Sequence, residues 1–191
     1  MSRRAAALAT ATVLLSSVAS VIVGAAPAHA TEVDKTIGYH CSSSFGDGDS
    51  DVRILATIPD RVAQGVSVPA RTVTFKIKVP GRMVRMMRLY GVDSVSGSGK
   101  ASYFVGSLKR PIRDVHIPNT DVPNSGGMTI KGTGRAASFM INQAGTYDVK
   151  VSKKLLATVA AHVDGSSYSA DLTCNVRRGE SRKLASLEVI R

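Results

Sequence analysis

The chain has no tryptophan, two cysteines, four histidines and only 5% aromatic residues in 191 positions. Each scarcity removes a class of explanation. Two cysteines cannot supply a disulfide-dense scaffold or a four-cysteine zinc site. The basic stretch between residues 71 and 113 has few aromatics on which nucleic-acid bases could stack, and specific nucleic-acid recognition is not expected. Acidic residues are also few, 14 against 25 Lys and Arg, for a net charge of +11. Nucleophilic catalysis needs a base and an orienting group beside a Ser or Cys. No G-x-S-x-G elbow occurs, and the only histidines past residue 30 are His40, His116 and His162. The glycine pairs Gly97-Ser98-Gly99 and Gly132-Thr133-Gly134 are not followed by a helix pattern, so they are no phosphate loop or dinucleotide fingerprint. Asp47, Asp49 and Asp51 alternate as in a calcium loop, but Val52 and Ile58 stand where an EF-hand needs Gly and Glu. These residues read as an acidic hairpin loop, with a weak adventitious calcium site as the alternative, and no catalytic, cofactor or dedicated metal site is expected.

What is present begins with a leader. Arg3 and Arg4 precede an apolar stretch from Ala5 to Val23, and Ala28-His29-Ala30 has the A-x-A form of a cleavage site. Residues 1–30 are therefore expected to be a cleaved secretory signal peptide, leaving 31–191 as one domain that is secreted, extracellular or associated with the cell surface. No later segment is apolar enough to cross a bilayer as a helix. In an oxidising compartment the one intramolecular pairing open to the two cysteines is Cys41 with Cys174, with two buried free thiols as the alternative.

Period-two alternation dominates the rest. Val73, Phe75, Ile77 and Val79 alternate with Thr74, Lys76 and Lys78, as on a half-buried strand. Similar runs centre on Tyr39, Ile54, Val149, Ala157, Ala170 and Leu187, separated by turn signals such as Pro80-Gly81, Ser125-Gly126-Gly127 and Asp164-Gly165. Residues 91–105, rich in glycine, suggest a bulged strand. The expected fold is all-β, an Ig-like antiparallel β-sandwich. One short connecting helix interrupts it. From Arg82 to Tyr90, Met83, Met86, Met87 and Tyr90 fall at helical spacing, with Arg82, Arg85 and Arg88 on another face. The methionine face is expected to plug one end of the sandwich.

Between residues 71 and 113 ten Lys and Arg face a single acid, Asp93. A cluster of this kind attracts anionic polymers or membranes with salt-sensitive affinity. Lys78, Arg82, Arg85 and Arg88 are the expected contacts to phosphate or carboxylate groups, with solubility alone as the plain alternative.

Further motifs run the length of the chain: Tyr39-His40-Cys41, Ala56-Thr57-Ile58-Pro59, Met87-Arg88-Leu89-Tyr90-Gly91-Val92, Ile117-Pro118-Asn119-Thr120-Asp121-Val122-Pro123, Ser125-Gly126-Gly127-Met128-Thr129-Ile130, Ala144-Gly145-Thr146-Tyr147 and Leu172-Thr173-Cys174. In these the chain resembles a family of secreted actinobacterial β-sandwich domains of unknown function. The resemblance implies a sandwich with its cysteines bridged and carries over no active site. The functional expectation is a non-enzymatic protein that meets an anionic envelope polymer or lipid surface through its basic face. An enzyme or enzyme inhibitor with a scattered site, and a self-associating adhesive module, are the competing readings. Oligomeric state is left open by the sequence.

Overall fold

The computed structural model describes residues 30–44 and 46–191. The leader expectation therefore lies, apart from Ala30, outside the described residues. Thirteen strands and one helix follow in order: β1 (Ala30–Ser43), β2 (Gly46–Pro59), β3 (Arg61–Ala63), β4 (Ser67–Val68), β5 (Arg71–Val79), α1 (Gly81–Leu89), β6 (Ser94–Val105), β7 (Leu108–Asp121), β8 (Met128–Ala136), β9 (Phe139–Met140), β10 (Gly145–Val151), β11 (Lys154–Val163), β12 (Ser166–Val176) and β13 (Lys183–Ile190). The fold is all-β with one short helix, as the alternation demands.

The architecture departs from the expected Ig-like sandwich. Strands β1, β2, β5, β8, β7, β6, β11 and β12 pair in that order, each antiparallel to the next, and β12 pairs back onto β1. The result is an eight-strand closed barrel. A sandwich would leave the outer edges of β6 and β11 apart; here Lys100 to Ser94 of β6 pair with Leu156 to His162 of β11. Closure needs a sharp bend in β6, and two register shifts against β7, at Val95/Gly97 and Gly99/Ala101, supply it. Gly97 makes the close approach possible, since a Cβ there would lie 2.5 Å from the Thr158 carbonyl oxygen.

Beyond the barrel β6 continues, and its last residues, Tyr103 to Val105, pair with β10. β10 then pairs with β13, and β13 runs parallel to β3. Inward residues of this branch, among them Val149, Val151 and Leu187, join Ile37, Ile54 and Phe75 in the larger core cluster. The smaller cluster, at the opposite end of the barrel, gathers Val79, Val84, Val92, Val95, Ile117 and Ile130. It forms under α1, which plugs that end as expected, but the anchor is Val84, fully buried, with Met83 and Met87 packed beside it. Met86 and Tyr90, expected to face inward, are 46% and 71% exposed. At 100° per residue Met86 lies on the far side of the helix from Val84, so anchoring Val84 turns it outward.

Asp164 and Gly165 both adopt positive φ, as the two-residue hairpin joining β11 to β12 requires. The acidic residues expected in a hairpin loop instead lie in β2, where Asp47, Asp49 and Asp51 pair with Ser42, His40 and Gly38.

Cys41 and Cys174 sit directly opposite one another on β1 and β12 and are bonded, so no free thiol is present among the described residues. Their side chains are buried at the seam where the barrel closes. Reduction of this bond is expected to lower the unfolding free energy by up to about 4–5 kcal/mol, the chain-entropy value for a loop of over a hundred residues. Urea unfolding with and without reductant measures it, and equal midpoints would show the bridge to be dispensable.

Tyr39 points into the larger core, fully buried, and its hydroxyl has no hydrogen-bond partner among the described residues. Burial pushes its pKa from 10.0 up to about 12. A folded-state pKa above the unfolded value means that stability is intact below about pH 10 and lost as pH rises toward 12. Tyr39→Phe is expected to leave stability at pH 7 unchanged or raise it by about 1 kcal/mol, because an unpaired buried hydroxyl is removed. It should also shallow the loss of stability between pH 10 and 12; urea midpoints across that range test both statements.

Candidate functional site

Inward residues of all eight barrel strands surround a cavity of about 200 Å³. Its wall is almost wholly apolar, with Phe75 and Ile77 from β5, Ile117 from β7, Leu155 from β11 and Leu172 from β12 among the larger side chains. The disulfide forms part of the same wall, and Met83 and Met87 of α1 close the end. Small residues keep the interior hollow: Gly99, Gly132, Ala157 and Ala170 stand where larger side chains would fill it. Consistent with that, Ile77, Val115, Leu155 and Leu172 remain half-buried although their strands turn them inward. An apolar void of about 150 Å³ already stays dry and admits a benzene-sized molecule.

A second, shallow groove of about 460 Å³ lies on the outer face of the wall where β6 passes from β11 to β10. Lys100, Lys109 and Lys154 border it, and it shares Lys100, Ala101 and Leu156 with the inner cavity. At this point the wall is interrupted: β11 pairs with β6 only as far as Lys100, and β10 pairs only from Tyr103.

The basic residues singled out in the sequence divide. Arg82 and Arg85 project from the outer face of α1, exposed, beside Met86 and Leu89, and have no ion-pair partner among the described residues. Lys78, at the end of β5 just before the helix, is likewise exposed and unpaired among the described residues. Arg88 does not join them. It lies nearer the Val84 side of the helix, and its guanidinium approaches the Val92 carbonyl oxygen at 3.5 Å and the Asp93 carboxylate at 3.6 Å. There it serves the C-terminal end of α1, where a cation meets unsatisfied carbonyls.

Two histidine arrangements emerge that no sequence spacing announced. His162 Nε2 lies 2.9 Å from Ser96 Oγ, across the β6–β11 seam. No carboxylate among the described residues reaches its other ring nitrogen, so the pair lacks the group that would orient a general base. His40 Nδ1 lies 2.8 Å from Asp49 Oδ1, with Asp47 at 3.6 Å from the other ring nitrogen. That hydrogen bond, aided by the Arg177 charge, holds the Asp49 carboxyl below the usual carboxylate range. Arg177 also pairs with Asp51 and Glu180, each at 3.1 Å. The three aspartates are thus spread along one strand face and engaged with His40 and Arg177; no cluster that could hold a metal ion occurs among the described residues.

No helix among the described residues is long and apolar enough to cross a membrane. No curated protein and no solved structure matches the sequence. Residues 38–185, which span the barrel from β1 through the start of β13, match a family of unknown function, DUF6801, and the chain belongs to that family.

Proposed function

We propose that this protein is an exported, non-enzymatic barrel that associates with an anionic lipid surface of the cell envelope through the outer face of α1. Export rests on the leader pattern of residues 1–30, and the secreted actinobacterial setting on the resemblance described above. The observation that carries the reading is the composition of one helix face. Arg82 and Arg85 stand free beside Met86, Leu89 and Tyr90, which are 46%, 76% and 71% exposed. Apolar side chains placed among unpaired arginines suit the boundary between lipid head groups and acyl chains. Lys78 adds a further positive charge at the base of the helix.

Co-sedimentation with vesicles tests it, comparing phosphatidylglycerol with phosphatidylcholine over a salt series. Binding is expected to phosphatidylglycerol alone and to weaken with salt. Arg82→Glu with Arg85→Glu should lower it at least about tenfold, given about 1 kcal/mol per basic residue near a charged surface. Leu89→Ser with Tyr90→Ser should lower binding with little change in its salt dependence. Absence of vesicle binding at low salt, or equal binding by the arginine variant, refutes the proposal. Salt-sensitive binding to isolated wall polymer without vesicle binding would transfer the role to a polymer.

A further inference from the structure

We infer that the barrel is a binding site for a single-chain amphiphile with an anionic head group, the end of its chain in the cavity, the rest of the chain passing through the opening into the groove, and its head at Lys100, Lys109 and Lys154. This goes beyond the helix-face reading and does not depend on it.

The cavity is the first ground. Every strand of the barrel contributes apolar side chains to its wall, Ser43, Ser50, Ser96 and Lys100 being the polar exceptions; it holds about 200 Å³, and small residues keep it from collapsing. Native cores are close-packed, and voids of this size cost stability unless something fills them. The partial exposure of inward Ile77, Leu155 and Leu172 means that apolar surface inside the barrel is left unburied by the chain's own packing. Covering it with a hydrocarbon chain is favourable at roughly 25 cal/mol per Å².

The opening supplies the second ground. The wall is interrupted at Ala101 and Ser102 of β6, between the end of β11 pairing and the start of β10 pairing, and this gap lies between the cavity and the lysine-bordered groove. Ala101 and Leu156 separate the cavity from the outer groove, and Leu156 is 42% exposed there.

The head-group chemistry comes from charge. Lys100, Lys109 and Lys154 come from three different strands, converge on the groove, and have no ion-pair partner among the described residues. No acidic side chain lines the groove to neutralise them. Three unpaired ammonium groups beside an apolar opening select an anion attached to a hydrocarbon chain, with carboxylate and phosphate monoester as the shared chemistry. Helix α1 closes the cavity elsewhere through Met83 and Met87, and its arginines, on the outer side of the helix, play no part in holding the head.

Titration calorimetry of the oxidised protein with laurate, dodecyl phosphate, dodecanol and inorganic phosphate is the test. Laurate or dodecyl phosphate, or both, should bind with one site per chain, and the stronger of the two identifies the head group. Dodecanol should bind about tenfold more weakly, the sum of several modest charge interactions, and inorganic phosphate should not bind measurably. Lys100→Glu, Lys109→Glu and Lys154→Glu together should remove the preference for the anion over dodecanol. Ala157→Phe, which fills the cavity, should abolish binding of every chain, and Ala170→Phe on the neighbouring strand should do the same. Thermal melts establish that at least one of these two variants folds cooperatively. Failure of both anionic chains to bind overturns the inference, as does binding unaltered in a folded cavity-filled variant. Dodecanol binding as tight as that of the anions, or phosphate binding as tight as the chains, overturns the head-group assignment. The Arg82→Glu and Arg85→Glu variant should bind these ligands like the parent, which separates this outcome from that of the vesicle experiment.

Discussion

Everything in this molecule depends on the closure of one antiparallel ladder. Backbone N–H and C=O groups must find partners, and an exposed strand edge leaves a row of them unsatisfied. Eight strands solve that by pairing in a ring. The ring is finished at two seams, β6 with β11 and β1 with β12, and both make demands on the local chain. The first demands the bend in β6, hence its glycines and register shifts. The second is short, four registered pairs from Tyr39 to Ser42, and the covalent bond between Cys41 and Cys174 lies within it. Closure also creates the interior. A flat pair of sheets would interdigitate and fill the space that the small inward residues leave open here.

Period-two alternation exposed most of the strands in the sequence, because an inside and an outside imprint the same pattern on a sandwich and a barrel. What it could not report is which edges meet. The β6–β11 pairing is a matter of curvature, and curvature is carried by Gly97 and Gly99, which have no hydropathy to alternate. β8 was hidden for a related reason: after Met128 and Ile130 its inward positions are Gly132 and Gly134, so the apolar phase fades halfway along the strand. In β7 the apolar phase shifts between Ile112 and Val115, where Asp114 at positive φ breaks the strand's regularity.

The candidate sites were legible in proportion to how local they are. Arg82 and Arg85 lie within one helical turn, and their common face follows from spacing alone. Arg88 looked equivalent in the repeat of three, yet the anchoring of Val84 rotates it toward Val92 and Asp93. The spacing of the methionines located the buried face of the helix only in part: Met83 and Met87 pack inward, but Val84 takes the centre of that face with Val79 and Val92 and turns Met86 and Tyr90 outward. Lys100, Lys109 and Lys154 lie on three strands and meet only because β6 changes partners between them, so no motif could have grouped them.

The position of the disulfide also sets an order of events in time. Its partners are separated by 133 positions, and Cys174 lies on the twelfth of thirteen strands. A chain that emerges from its N-terminus must hold Cys41 unpaired until nearly all of the ring has been laid down. Contacts between such distant segments form slowly, since the loop must close before they reward it. The long β1–β2 hairpin can form early, but its other edge has to wait for β12. Oxidation of this pair is then a reporter of completion: the bond can form in its native place only in a molecule whose barrel has already come around to meet itself.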